Sequence, residues 1–339
     1  MSDTIFDFGT SKEEYRKFCE EKGEKLPIFM RDWYLDATVA EGAEWRVICI
    51  KENNQIVAVF PFQYMKIRPR LGMQLYHISN TFQQARGGIW IDYGNRDALC
   101  KREKFLMYVV DQIIERLPYY DKFCINFDLS FTDWSPFYWH KFEQTTYYSY
   151  IIDPKKYDGD QEKLFNSFVY DRRRSIRKAE EIYTVDNCLT GDEFYEFMIL
   201  TYKEKGRNIQ YSYETFHRLD EALSEHKAKK IYCARDLDGN VVAAVYMICD
   251  RQRWYWMFTA FIQKSKGAQE LLTWAGMKDC LKHNIIYDFE GSMIPGVAGY
   301  IREYNAEKKP YYVISNSSKK MEVVKSLKII KESLKKTRK

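Results

Sequence analysis

The spacing of apolar and polar residues predicts alternating helices and strands, most clearly in the second half of the chain. Apolar residues recur every three or four positions at 192–205 and 213–226, which predicts two amphipathic helices. Strand-like runs follow at 230–235, 241–249 and 253–261, with an Asp-Gly turn between the first two. The remaining predicted elements are a helix at 267–284, a strand at 285–289, a helix at 296–306 and a strand at 310–314. This order predicts an α/β fold with a mixed sheet.

The first half repeats the order more loosely. Helical stripes at 12–21 and 29–38 precede strands at 45–51 and 56–62, and a long amphipathic helix spans about 102–117. The predicted elements that follow are a strand at 122–128, a helix near 136–142 and a strand at 147–152.

The ends of the two halves match best. Residues 124–152 and 284–314 each contain a strand ending at Asp, a helix that begins with Pro and a strand with Tyr-Tyr. Such self-similarity is typical of an internal duplication. The predicted organisation is an N-terminal domain at 1–160, a linker helix at 161–181, a C-terminal domain at 182–316 and a basic helix at 317–339.

Composition narrows the classes of function. The chain has 45% hydrophobic and 30% charged residues and a net charge of +5, which permits an anionic substrate without requiring nucleic acid. Its eight cysteines form no C-x-x-C pair and its five histidines have no ligand spacing, so neither a disulfide framework nor a metal site is predicted. The start is acidic and the longest apolar run, 241–249, is too short for a bilayer. These features predict a cytoplasmic protein without a transmembrane segment.

Two segments carry a family resemblance. The basic run RRRSIRKAEE at 172–181 and the run DFEGSMIPGVAGYIREYNA at 288–306, on the predicted tandem order, resemble the Fem-type branch of the GNAT N-acyltransferase superfamily. The resemblance implies two tandem GNAT-like domains. It also implies transfer of an acyl or aminoacyl group to an amine.

GNAT proteins place a phosphate-binding loop, Q/R-x-x-G-x-G/A, between a strand and the next helix. Here the resemblance assigns the pyrophosphate of an acyl-CoA, either acetyl-CoA or a longer one, to Gln263, Lys264, Lys266, Gly267 and Ala268. Gln263 and Ala268 match the motif, whereas Lys266 replaces its first glycine. An ordinary loop with solvated lysines is the alternative.

The same resemblance implies catalytic residues at the end of the second sheet. A base is expected at Glu290, and an acid at Tyr300 or Tyr304, one helical turn apart. The usual GNAT tyrosine aligns nearer Arg302, which we assign to the acceptor instead. A solvated strand end and tyrosines packed in the core are the alternatives.

The linker run predicts an anion site. Arg173 and Arg177 lie one turn apart, as do Arg174 and Lys178, and such forks suit phosphate oxygens. A solvated basic face is the alternative. The C-terminal helix, residues 318–339, could likewise contact an anionic membrane or simply dock on the protein.

The sequence therefore predicts an N-acyltransferase that moves an acyl group from acyl-CoA to an amine. The acceptor is a small molecule or a phosphate-bearing cell-envelope precursor. One alternative is a peptidyltransferase that builds peptidoglycan bridges from aminoacyl-tRNA, and it is less favoured because the long helical arm of tRNA users is not seen. The other is a non-catalytic binding protein that keeps the fold.

Overall fold

The computed structural model describes residues 6–67, 73–209, 211–324 and 326. The α-helices are α1 (Phe8–Lys22), α2 (Asp32–Thr38), α3 (Leu99–Arg116), α4 (Ser135–Trp139), α5 (Gln161–Ser167), α6 (Tyr170–Glu180), α7 (Gly191–Glu204), α8 (Tyr213–Glu225), α9 (Ala268–His283) and α10 (Pro295–Arg302). The strands are β1 (Ala43–Glu52), β2 (Gln55–Ile67), β3 (Leu75–Ser79), β4 (Trp90–Ile91), β5 (Lys122–Asn126), β6 (Glu143–Ile152), β7 (Thr184–Asp186), β8 (Lys229–Arg235), β9 (Val241–Cys249), β10 (Arg253–Phe261), β11 (Ile286–Asp288) and β12 (Glu307–Ser317). The predicted mixed α/β class is confirmed.

The chain divides into two compact units, one of Met1–Thr146 with Tyr311–Lys339 and one of Tyr147–Pro310. The unit limits fall inside β6 and β12, so each of these strands contributes residues to both units. Sequence patterning alone placed the domain limits at 160 and 182, because a period of two identifies a strand but not the sheet that it joins.

In the first unit the strands run in the order β1, β2, β3, β5 and the last part of β12. All neighbours are antiparallel except β3 and β5. The apolar face of α3 packs on this sheet, with Val109 and Ile113 fully buried among Phe60 and Phe123. The long helix predicted at about 102–117 is therefore confirmed, and it starts three residues earlier.

In the second unit the order is β7, β8, β9, β10, β11 and the last part of β6. β10 and β11 are parallel, and the other pairs are antiparallel. β9 is buried over almost its whole length, as its apolar run predicts for a central strand. α9 packs against this sheet, with Leu272 and Met277 buried.

The predicted single linker helix is wrong. α5 ends at Ser167 and α6 begins at Tyr170, because Phe168 and Val169 have extended backbone angles. The Phe168 ring lies 5.6 Å from the Trp274 ring and 5.3 Å from the Tyr304 ring, edge-on to both. Burying this aromatic residue in the core therefore interrupts the helix.

The end of the chain is only partly described. Residues 319–324 are helical, and most of the predicted basic helix at 318–339 lies outside the described residues. Within the described part of the chain, no helix combines the length and apolarity needed to cross a bilayer.

Candidate active site

A pocket lies where β10 and β11 part. The two strands pair only through three residues, ending at Tyr255 opposite Asp288, and β10 then continues to Phe261. On its other edge β10 pairs with β9 as far as Phe261. Within the described residues, the edge of β10 beyond Tyr255 that faces away from β9 therefore has no neighbouring strand.

The pocket at this fork has a volume of about 770 Å³. Its lining residues come from α7 and the connection after it, the parted end of β10 and the loop after it, α9, the turn after β11, and α10. They are Tyr202, Lys205, Arg207, Trp256, Met257, Thr259, Phe261, Gln263, Gln269, Phe289, Glu290, Gly291, Ser292, Gly296, Val297, Tyr300 and Ile301. Aromatic walls with a few polar groups are typical of small-molecule sites.

β10 carries a β-bulge at the start of its parted edge. Trp256 pairs with Met247 and Phe258 pairs with Tyr246, so Met257 is an extra residue on β10. A bulge leaves its extra residue out of the ladder and redirects the strand. Met257 lies at this bulge and lines the pocket.

The turn after β11 brings Glu290 to the pocket. Glu290 and Gly291 both have left-handed backbone angles, with φ of 61° and 74°. The buried carboxylate of Asp288 accepts hydrogen bonds from the Ser149 hydroxyl at 2.5 Å and from the Glu290 N–H at 2.9 Å. A non-glycine residue in this conformation is strained, and such strain occurs often at functional sites.

Gly291 allows this turn to approach β6. A Cβ atom added at Gly291 would lie 2.1 Å from the carbonyl oxygen of Tyr148, which is a severe overlap with backbone. The glycine is therefore required for close approach as well as for its positive φ.

We expect Gly291→Ala to lower the free energy of unfolding by at least about 1–3 kcal/mol, the usual cost of such backbone strain, with the overlap adding to it. Gly296→Ala is the matched control, because an added Cβ there meets no atom within 4 Å. Urea denaturation of both variants measures the difference. Equal stability of the two variants would contradict the close approach.

Of the two predicted tyrosines, only Tyr300 lines the pocket. Its hydroxyl lies 2.8 Å from the Tyr304 hydroxyl and 3.2 Å from the Thr273 hydroxyl. Tyr304 is fully buried behind it. Burial raises the pKa of the Tyr300 hydroxyl, so this group keeps its proton at neutral and mildly alkaline pH.

Arg172 packs against the rings of Tyr300 and Tyr304, and the sequence did not predict this contact. This buried arginine donates hydrogen bonds to Glu270 at 2.7 Å and to Glu303 at 2.5 Å. Its guanidinium also lies 4.4 Å from the Tyr300 ring centroid, a cation–π contact. Arg172 thus joins α6 to α9 and α10. The available signal was its helical spacing with the buried Ile176 and Ala179.

Arg172→Ala should destabilise the protein by about 3 kcal/mol, because it removes a buried arginine and leaves two half-buried carboxylates without their partner. Arg173→Ala, the neighbouring half-buried arginine, should change stability by no more than about 0.5 kcal/mol. Thermal and urea unfolding of the pair provide the measurement. A large loss of stability in Arg173→Ala, or no loss in Arg172→Ala, would contradict the assignment of a buried and an outer face to α6.

The other linker cations share the outer face of α6. Arg173, Arg174, Arg177 and Lys178 line a shallow depression of about 240 Å³ together with Tyr170 and Glu181. Arg302 is not among them; it is exposed on α10 and lines neither this depression nor the pocket.

The predicted donor loop is only partly directed at the pocket. Gln263 lines the pocket, whereas Lys264 and Lys266 are exposed outside its lining. The backbone N–H of Lys266 donates to the Lys264 carbonyl at 2.9 Å, and that of Ala268 donates to the Ser265 carbonyl at 3.2 Å.

Gly267 begins α9 with a φ of 84° and packs closely on α6. A Cβ added there would lie 3.0 Å from the Cβ of Ala179 and 3.1 Å from the carbonyl oxygen of Ser175. The visible role of this glycine is thus the close contact between two helices.

Several lining residues were not found from the sequence. Lys205 and Arg207 follow α7, and Trp256 and Met257 lie on β10. Their strand and loop positions were evident, but the parting of β10 from β11 is a tertiary feature with no local signal. Within the described residues, no cluster of three or more His, Cys, Asp or Glu side chains is placed to hold a metal ion.

Comparison with a family model identifies part of the chain. Residues 166–300 match the model described as an acetyltransferase (GNAT) domain. This stretch runs from the end of α5 into α10 and includes most of the pocket lining. A comparison with curated proteins gives no significant match.

Solved structures show the same fold at low identity. The crystal structure of FemX superposes with a TM-score of 0.64 at 14% identity, covering 89% of this chain and 95% of FemX. A conserved protein of unknown function from Bacteroides thetaiotaomicron VPI-5482 has a TM-score of 0.53 at 11% identity, with 93% and 99% coverage. The C-terminal domain of a putative lysylphosphatidylglycerol synthetase from Agrobacterium fabrum has a TM-score of 0.52 at 9% identity, with 91% and 93% coverage.

Proposed function

We propose that this protein transfers an acyl group from acyl-CoA to an amine in the pocket at the β10–β11 fork. The proposal is supported by the match of residues 166–300 to the acetyltransferase (GNAT) domain model and by the fold shared with FemX. The acyltransferase class implied by the sequence is supported by this domain match. The donor, the acceptor and the residue roles are the content of the proposal.

The parted edge of β10 is the observation that carries it. An exposed strand edge binds extended chains by adding them as a further strand through main-chain hydrogen bonds. The pantetheine arm of CoA is an extended chain with two amide groups, which suits such an edge. The thioester would then lie beside Met257 and Glu290, where β11 ends.

The bulge supplies a candidate oxyanion donor. Acyl transfer passes through a tetrahedral intermediate whose oxygen becomes negative, and a fixed N–H directed at that oxygen lowers the barrier. We assign this role to the backbone N–H of Met257, the extra residue of the bulge.

Glu290 and Tyr300 carry out the two proton transfers of the proposed reaction. Glu290 accepts a proton from the acceptor amine as its nitrogen attacks the thioester carbonyl, and a C–N bond forms. The intermediate then collapses by breaking the C–S bond, and the departing thiolate takes the proton of the Tyr300 hydroxyl. Tyr300 is assigned this role because it lines the pocket and carries a proton at neutral pH.

Glu290→Gln and Tyr300→Phe should each lower kcat by about 10²–10⁴-fold, the usual contribution of a general base or acid. Tyr304→Phe is the matched control, because its hydroxyl lies behind Tyr300 and outside the pocket lining. Initial rates are measured by release of free thiol from a panel of acyl-CoAs and amines. If Glu290→Gln turns over at the wild-type rate, Glu290 is not the base. If the wild type turns over no acyl-CoA, the result favours a non-catalytic protein.

The pH dependence follows from the raised pKa of Tyr300. A free tyrosine loses its proton near pH 10, whereas the buried Tyr300 does so only at higher pH. Wild-type kcat should therefore not fall as pH rises from 8 to 10. A loss of activity centred near pH 10 would contradict Tyr300 as the buried acid.

We propose that the acceptor carries a phosphate group and that the outer face of α6 binds this phosphate. Arg173, Arg174, Arg177 and Lys178 converge on one depression, and paired guanidinium groups suit phosphate oxygens. An amine acceptor with a nucleotide-linked or lipid-linked phosphate has the required charge.

Arg173→Ala and Arg177→Ala should each weaken binding of a nucleotide-linked amino sugar by roughly tenfold or more, because each removes a charge-assisted contact worth about 1.5–3 kcal/mol. The double variant should lose less than the sum if both residues bind one phosphate. Calorimetric titration at two salt concentrations provides the measurement. Lys163→Ala is the control, since Lys163 lies on α5, is paired with Asp158 and does not line the depression. Unchanged affinity in both arginine variants would show that the outer face of α6 is a solvated surface and not a phosphate site.

A further inference from the structure

The far end of the active-site pocket carries two cations that no role above uses. Lys205 and Arg207 both line the pocket and both lie on the connection between α7 and α8. The Lys205 ammonium lies 3.3 Å from the ring centroid of Phe261, the last residue of β10. Among the described residues, neither cation forms an ion pair with a carboxylate. Glu204 acts on Lys205 only through its charge and not as an ion pair, and two neighbouring cations without a direct ion pair favour an anionic ligand.

The cations and the proposed base lie at opposite ends of the parted strand. Glu290 follows the point where β11 ends opposite Tyr255, and Lys205 stacks on Phe261 six residues further along β10. At about 3.3 Å per residue, that length of strand spans roughly 20 Å. A ligand that reaches both ends must be an extended chain with its negative charge at the end away from the reacting group.

The loop that usually binds the phosphates is poorly available here. The N–H groups of Lys266 and Ala268 are engaged by carbonyls within the loop, and Gly267 faces Ala179 and Ser175 of α6. These contacts occupy two of the N–H groups that a pyrophosphate would otherwise use and place one side of the loop against α6.

The α7–α8 connection lies directly beside the start of that loop. The Glu204 carboxylate accepts a hydrogen bond from the Gln263 N–H at 3.4 Å. Glu204 ends α7 and immediately precedes Lys205. The connection is thus held where a phosphate leaving the parted edge of β10 would arrive.

We propose that Lys205 and Arg207 bind the diphosphate of the CoA donor, in place of the backbone of the 263–268 loop. The inference rests on the proposed acyl-CoA-dependent function and adds the residues that recognise the donor's anionic end. Arg207 can bind two phosphate oxygens with its planar guanidinium, and Lys205 adds a point charge beside the aromatic wall.

The test compares two ligands that differ in the diphosphate. CoA and pantetheine share the amide chain, and pantetheine lacks the phosphates and the nucleotide. Both are titrated by calorimetry into the full chain as wild type, Lys205→Met, Arg207→Ala and Lys203→Ala. Methionine keeps an apolar stem over Phe261, and Lys203, exposed in the last turn of α7 outside the pocket lining, is the matched control.

Each pocket variant should raise the Kd for CoA about tenfold or more, as expected for one charge-assisted contact, and leave the Kd for pantetheine unchanged. The dependence of CoA affinity on salt should weaken in both, and Lys203→Ala should match the wild type. Melting curves of the same samples identify any variant that does not fold, and Arg207→Gln then replaces Arg207→Ala.

Three results would overturn the inference, and they are distinguishable. If the wild type binds CoA and both variants bind it equally well, the diphosphate lies elsewhere and the proposed function stands. If affinity for pantetheine falls as much as affinity for CoA, the two residues shape the pocket rather than bind phosphate. If the wild type binds neither ligand, the acyl-CoA donor of the proposed function fails as well.

Discussion

The second unit depends on a single carboxylate at the end of a short strand. Asp288 is fully buried, and it accepts hydrogen bonds from Ser149 of β6 and from the backbone of the turn that follows β11. Because Asp288 fixes that turn, β11 stops after three residues while β10 runs on, and the space between them becomes the pocket. A longer β11 would fill the edge of β10 with ladder hydrogen bonds and leave no place for an extended ligand.

The same turn gives the site its geometry at the cost of strain. Glu290 has a positive φ that a side chain seldom adopts, and Gly291 approaches the backbone of β6 more closely than any other residue could. The strain is offset by the buried hydrogen bonds of Asp288 and by the aromatic packing of Phe289. In the proposed function Glu290 is the base, and a fixed turn beside an open strand edge suits that role, since misplaced groups lose most of their catalytic effect.

The sequence predicted the fold well where period and length were sufficient, as in the apolar run of β9 and the amphipathic α3. It failed at Phe168, because an aromatic residue within a helical period gives no sign that its ring is needed in the core. At the site, the family motif indicated Glu290 and Tyr300, which line the pocket. It could not indicate Lys205, whose relation to Phe261 exists only after the chain has folded.

The two faces of α6 have an evolutionary consequence. Arg172, Ile176 and Ala179 are buried and hold the helix against α9 and α10, whereas Arg173 and Arg177 project outward and contribute little to the core. Mutations on the outer face can therefore accumulate without destabilising the fold. If the outer face binds the acceptor as proposed, its specificity can change along one side of a single helix while the lining of the pocket stays the same.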